Sequence, residues 1–406
     1  MTNHESEPDQ VHAHTAADAA VRLKTTGKST KYLLDWRTKQ GHHIFDPRLG
    51  YRNGRNLTVG AARDVHGQLK VLGTDSSGFV HNGVRDGDTN PDDRDFFRVF
   101  IFGGSTVYGV GVDENRLTIA SFLERFLERR YHKVKVINCG VKGYMSWQQM
   151  TYMAHEIIGY KPDYVVVLDG LNDFSKPAQT QQWIPNSDAY SCDISRNIDL
   201  ILEPRLAFLR RLTVRLLEKH PVWKKLIRLL GQLKSELEAL AEESTDVSPK
   251  YIALQLQSVD WYIRNVCSMI GIAAYNEIRI AYLLQPQLVW GARQPTEQEH
   301  KFLKELYAYE PFVSDLAQQW HHLASQKFDA AKEKLHNGHT IWLENAGQWL
   351  DEQLVTVYSS WNHYNSRGNE VIAERIGRII FAMDSRQTNH ASFETSTYVQ
   401  SQENTV

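Results

Sequence analysis

The stretch RVFIFGGSTVYGVGVDENR, residues 98–116, decides how the rest of the chain is read. Arg98 leads four apolar residues, Val99 to Phe102, a run with the length and composition of a strand buried on both faces. Gly103 and Gly104 then turn the chain and present Ser105. Any tight strand-to-helix turn favours small residues, so the serine alone does not specify chemistry. No Gly-Lys-Ser/Thr closes the turn, and Gly109 and Gly111 lack the third glycine of a dinucleotide fingerprint, so a phosphate loop is a poor reading.

Four more apolar runs have the same character: VKVIN (134–138), YVVVLD (164–169), IRIAYLLQ (278–285) and TIWLE (340–344). Between them lie helical patterns such as TIASFLERFLERRY, WQQMTYMAHEIIGY and YIALQLQSVDWYIRNVCSMIG, and GNEVIAERIGRIIFAM follows the last. Alternating strand and helix predicts an α/β fold with a parallel sheet covered on both faces, whose ligands collect beyond the carboxyl ends of the strands. Ser105 stands at such an end.

The chain has 406 residues, 42% of them hydrophobic, enough for a substantial core. Its 46 Lys and Arg balance 48 Asp and Glu, a formal charge of -2, which argues against a nucleic-acid partner. Three widely spaced cysteines, Cys139, Cys192 and Cys267, fit neither a disulfide framework nor a cysteine zinc site. The first forty residues hold no signal-peptide core or membrane span, so a cytoplasmic location is expected. Residues 1–31 and 384–406 read as polar, disordered tails around a domain at 45–383. Within that domain, 45–97 reads as a turn-rich β lead-in and 175–250 as a helical, lid-like insertion.

Two further strand ends carry groups suited to acyl transfer. After VKVIN comes NCGVKGYMS, with Gly140 and Gly143; after YVVVL comes DGLND, with Asn172 and Asp173. When a serine attacks a carbonyl an oxyanion forms, and fixed N–H donors aimed at it supply the largest catalytic contribution. Backbone N–H groups and an Asn amide serve that purpose. The nucleophile also needs a base, and YSSWNHYNSRGNEVIAERIG offers His363 in a loop just before an amphipathic helix.

Together, FGGSTVYG, NCGVKGYMS, GLND and NHYNSRGNEVIAERI resemble, in order, the blocks of the SGNH or GDSL hydrolase superfamily, in the branch whose serine lies in an F-G-G-S-T turn. DPRLGYR, TDSSGF and LQPQL agree with it. The resemblance implies a flavodoxin-like three-layer α/β/α sandwich of about five parallel strands. It also implies Ser105 as nucleophile, His363 as base, and an oxyanion hole from Ser105, Gly143 and Asn172. The chain departs from that pattern at one position: the family places Asp three residues before the histidine, where this sequence has Ser360. A Ser–His dyad, an acid recruited from Asp351 or Glu352, or a site that binds without cleaving would each account for it.

The expected substrate is a small-molecule, glycan or lipid acyl ester, hydrolysed or transferred, with no cofactor and no metal. Adjacent pairs such as GHH and WHHL lack the spacing of ligands on one helical face. From Arg205 to Lys234 the insertion has nine Lys and Arg and one acidic residue, Glu218. It reads as a cap over the site, with peripheral contact to an anionic membrane as the second reading.

Overall fold

The computed structural model describes residues 43–46, 48–63, 69–84, 90–174, 249–309 and 313–403. The tail read at 1–31 and all but the last two residues of the insertion read at 175–250 lie outside the described residues, as does the stretch 205–234.

Two antiparallel hairpins precede the main sheet. The first pairs β1 (His43–Asp46) with β2 (Gly50–Asn53), the second β3 (Thr58–Arg63) with β4 (Leu69–Gly73). The main sheet has five strands: β5 (Phe97–Gly103), β6 (Val134–Asn138), β7 (Tyr164–Asp169), β8 (Arg279–Leu284) and β9 (Ile341–Asn345). All five are those expected from the apolar runs. They lie in the order β6-β5-β7-β8-β9, and every pairing is parallel. This is the flavodoxin-like 2-1-3-4-5 order, whose switch point falls between the carboxyl ends of β5 and β7.

The period-two alternation of a strand divides the core into two layers. Phe100, Phe102, Val165, Val167, Tyr282 and Leu284 face one side, where they pack on Tyr262 and Val266 of the Pro249–Tyr275 helix and Trp320 and Phe328 of the Val313–Leu335 helix. Val99, Ile101, Val166, Leu168, Ala281 and Leu283 face the other, against Leu123 and Leu127 of the Ile119–Leu127 helix and Ile372, Ile376 and Ile380 near the C-terminus. Full burial of each such aliphatic side chain is worth about 1.5–3 kcal/mol, so the sheet is a rigid platform for the loops at its edge.

The final helix spans Ser366–Glu403 and therefore runs past Met383, where composition placed the start of a disordered tail. Polar composition does not reveal a side chain that pairs across the fold. Asp384 accepts hydrogen bonds from Tyr164 Oη at 2.5 Å and Arg279 Nη1 at 2.6 Å, and from Tyr131 Oη. No described helix is long and apolar enough to cross a membrane.

Candidate active site

Three loops meet around Ser105. Strand β5 ends at Gly103, and Ser105 opens a single helical turn, Ser105–Tyr108. Gly104 permits a close approach: a Cβ there would lie 2.4 Å from Asn172 Nδ2, so any side chain would displace the amide. The loop after β6 stays attached to β5, with Cys139 N–H donating to Ile101 O at 2.9 Å and Val141 N–H to Gly103 O at 3.1 Å. Asn138 then clamps it to the serine turn, donating to Val107 O at 2.8 Å and accepting from Gly140 N–H at 2.9 Å.

The first hairpin supports this loop from below. Asn53 Nδ2 donates to Gly140 O at 2.9 Å, Tyr51 Oη to Lys142 O at 3.0 Å, and Tyr144 Oη back to Tyr51 O at 2.6 Å. Held in this way, the chain passes through Gly143 at φ +79°, a left-handed conformation that glycine adopts without a steric penalty. From the end of β7, Asn172 Nδ2 donates one hydrogen to Tyr144 O at 2.8 Å, leaving its second hydrogen for another acceptor.

The histidine arrives on the segment between β9 and the final helix. Ser105 Oγ and His363 Nε2 are 2.8 Å apart, and His363 Nδ1 is 2.9 Å from Ser360 Oγ. A short antiparallel bridge between Tyr358 and Tyr364 closes the loop, and Ser359 N–H donates to His363 O at 2.8 Å. Tyr364 Oη reaches Pro286 O beyond β8 at 2.6 Å. Neither acid considered as a substitute is recruited: Asp351 accepts from Ala292 N–H at 3.0 Å, and Glu352 pairs with Arg375 at 3.0 Å.

Electrostatics keep the imidazole neutral. Desolvation, and after it the charge of Lys142, lower the His363 pKa to about 4. Lys142 is itself buried, with Nζ 4.6 Å from the centre of the Tyr108 ring, and desolvation lowers its pKa to about 8. A neutral imidazole whose Nε2 faces a serine hydroxyl can accept that proton. Behind Asn172, burial pushes the Asp173 carboxyl up to about 6; it accepts from Ser146 Oγ at 2.6 Å and Ser146 N–H at 3.1 Å.

The fold thus brings Ser105 and His363 into hydrogen-bonding distance and sets Asn172 against Gly104, while Gly143 lies beside the Tyr144 carbonyl that Asn172 holds. Sequence reasoning did not find Lys142, the supporting pair Tyr51 and Asn53, or Asn362, whose Oδ1 accepts from Ser360 Oγ at 2.8 Å. The block DPRLGYR contains Tyr51 and stops short of Asn53, and it did not indicate the contacts of either. Among the described residues, no three His, Cys, Asp or Glu side chains gather where a metal ion could be held.

Residues 101–261 match the model of the GDSL-like Lipase/Acylhydrolase family, a span that contains Ser105, Gly143 and Asn172 and ends before His363. No curated protein sequence matches the chain. Among solved structures, it is similar to a lipase/acylhydrolase from Enterococcus faecalis, with 13% identity and a TM-score of 0.38, covering 70% of this chain and 94% of that one. It is also similar to the acetylxylan esterase Axe2 from Geobacillus stearothermophilus, with 14% identity, a TM-score of 0.36 and coverage of 70% and 93%. A third is a G-D-S-L family lipolytic protein from Desulfitobacterium hafniense, with 12% identity, a TM-score of 0.37 and coverage of 70% and 99%.

Proposed function

We propose that this chain, whose residues 101–261 match the GDSL-like lipase/acylhydrolase family model, is a serine esterase that cleaves carboxylic esters through an acyl-enzyme at Ser105. The observation that carries the reading is the 2.8 Å separation of Ser105 Oγ and His363 Nε2 at the carboxyl edge of a parallel sheet. As Oγ attacks the ester carbonyl, its proton passes to Nε2, and the new oxyanion is met by the N–H groups of Ser105 and Gly143 and the spare hydrogen of Asn172. The imidazolium then protonates the departing alcohol. Water, deprotonated by the same nitrogen, releases the acid.

Ser360 in place of a carboxylate leaves the imidazolium without a counter-charge. A triad carboxylate also stabilises the imidazolium that forms during attack, so slow turnover is expected without one. Hydrolysis and acyl transfer share the acyl-enzyme, and adding alcohol acceptors during turnover measures how it partitions.

The test is fluorophosphonate labelling together with p-nitrophenyl ester hydrolysis in the wild type and in Ser105→Ala. Both signals should vanish in the variant while its circular dichroism is unchanged. Labelling that persists in folded Ser105→Ala would remove the assignment.

A further inference from the structure

The hydroxyl of Ser360 has four partners and a single proton. Its Oγ lies 2.8 Å from Asn362 Oδ1, 2.9 Å from His363 Nδ1, 3.2 Å from the His363 backbone nitrogen and 3.4 Å from that of Asn362. The two backbone N–H groups only donate, and the amide oxygen only accepts. Oδ1 can do nothing but accept, and it takes the Ser360 hydroxyl at 2.8 Å, which turns the two lone pairs of Oγ toward the nitrogens. With the hydroxyl proton on Oδ1, a ring nitrogen facing those lone pairs at 2.9 Å makes a bond only in the Nδ1–H tautomer of His363. Nε2 is then unprotonated where it meets Ser105.

Without Asn362 Oδ1, the Ser360 hydroxyl is free to rotate and donate to Nδ1. That rotation favours the opposite tautomer, in which Nε2–H points at Ser105 and the site has no base. Asn362 is also tied to the nucleophile's side of the cleft, because its backbone oxygen accepts from Thr106 Oγ1 at 3.5 Å.

We propose that Asn362 is a positioning residue that selects the His363 tautomer through Ser360, performing the orienting part of a triad carboxylate's work without its charge. The inference rests on the serine-esterase reading above. The only proton that moves during attack is the one from Ser105 Oγ to Nε2. The Nδ1 proton stays on the ring, bonded to Ser360 Oγ, and Ser360 keeps its own proton on Asn362.

Long-range ¹H–¹⁵N correlation of the imidazoles, with His363→Gln to assign the signal, reads the tautomer directly. Wild type should show His363 protonated at Nδ1, and Asn362→Ala should shift the population toward Nε2–H. In the same variant kcat should fall about 10- to 100-fold with KM nearly unchanged, the size of effect seen when the hydrogen-bond partner that orients a metal-bound histidine is lost. Asn362→Asp keeps the acceptor and should restore turnover. Ser360→Ala should lose as much as Asn362→Ala, and the double variant no more than either, since both act through one bond.

A wild-type His363 protonated at Nε2 overturns the proposal without any variant being needed. So does an Asn362→Ala protein with wild-type tautomer and kcat. Labelling of Ser105 is scored separately: if Ser105 labels normally and the tautomer result is negative, Asn362 has lost its role and the esterase reading stands. If Ser105 never labels, the esterase reading fails, and the relay is still judged by the imidazole spectrum.

Discussion

Glu299 accepts the backbone N–H of Val357 at 3.0 Å, so a helix 58 residues upstream anchors the start of the loop that carries His363. Its carboxylate also accepts from Tyr358 N–H at 3.3 Å and from Arg293 Nη2 at 2.6 Å, with the Glu299 side chain fully buried. Desolvation pushes its pKa up, but the bonds from Arg293, Thr296 and Val357 outweigh that and leave it below the usual carboxylate range.

Glu299→Gln should therefore destabilise the protein by about 3 kcal/mol, as expected when one partner of a buried ion pair is removed. It should also lower kcat, because the 357–363 segment loses its anchor. Because the pKa is depressed on folding, the wild-type contribution is full above the unfolded carboxylate range and is lost as pH falls through the folded value. Thermal melts from pH 7 to pH 3 should show this acid-sensitive component in wild type and not in the variant.

The pH dependence of kcat/KM should locate the base. With His363 lowered to about 4, the acid limb should lie near that pH, well below the 6.5 of an unperturbed imidazole. Lys142→Met should move the limb upward only part of the way, since desolvation is the larger cause and Lys142 the second. A limb near 6.5 in wild type would mean that the imidazole titrates as if solvated and that burial does not lower it.

Ser360→Asp returns a carboxylate to the position 2.9 Å from His363 Nδ1. An opposite charge that close raises an imidazole pKa by about 1–3 units and stabilises the imidazolium formed during attack. Turnover of p-nitrophenyl butyrate should rise at least tenfold, with the acid limb shifted upward in step. Unchanged turnover would show that imidazolium stability does not limit the rate.

Gly104→Ala tests the setting of Asn172. The added methyl would fall 2.4 Å from Asn172 Nδ2, so the amide must move off Tyr144 O. Loss of one oxyanion donor costs about 10²–10³ in kcat, and the variant should approach that with little change in fluorophosphonate binding before the covalent step. Asn172→Ala should match it, and the double variant should be no worse.

Much of this architecture could be read locally. Buried parallel strands appear as uninterrupted apolar runs, so YVVVLD and IRIAYLLQ identified themselves, and the glycines after RVFIF marked the turn that exposes Ser105. What was not legible rests on side chains bonding to distant backbone. Tyr51 to Lys142 O spans 91 residues and Asn53 to Gly140 O spans 87, and no periodicity encodes either. In the structure Thr296 and Glu299 form a capping box at a helix start, with reciprocal bonds at 3.4 and 2.9 Å. That motif marks a helix start and does not show that the same carboxylate holds the histidine loop. Asn362 escaped notice for a related reason: its importance lies in where one hydroxyl proton of Ser360 points, a matter of geometry within a single turn.

The buried acids beneath Asn172 lead to a last expectation, about stability. Asp169 accepts from Tyr262 Oη at 3.1 Å and Tyr282 Oη at 2.9 Å, and burial, followed by the nearby Asp173, raises its pKa well above the ordinary carboxylate range. Burial likewise moves Asp173 from 3.8 to about 6. A carboxyl whose pKa is raised by folding binds its proton more tightly in the native state, so its contribution is fully present below the unfolded value. Stability is then lost as pH rises through the interval between the two values, and the loss is complete above about 6. The displacement corresponds to about 3 kcal/mol at 1.36 kcal/mol per unit. Wild-type stability, after allowance for other titrating groups through Asp173→Asn, should decline between pH 4 and pH 7, whereas the amide variant should lack that component whatever its absolute stability. Parallel curves for the two proteins in urea titrations across that range would show that Asp173 is ionised in the native state throughout. The carboxylate would then be held by Ser146 strongly enough to cancel its burial.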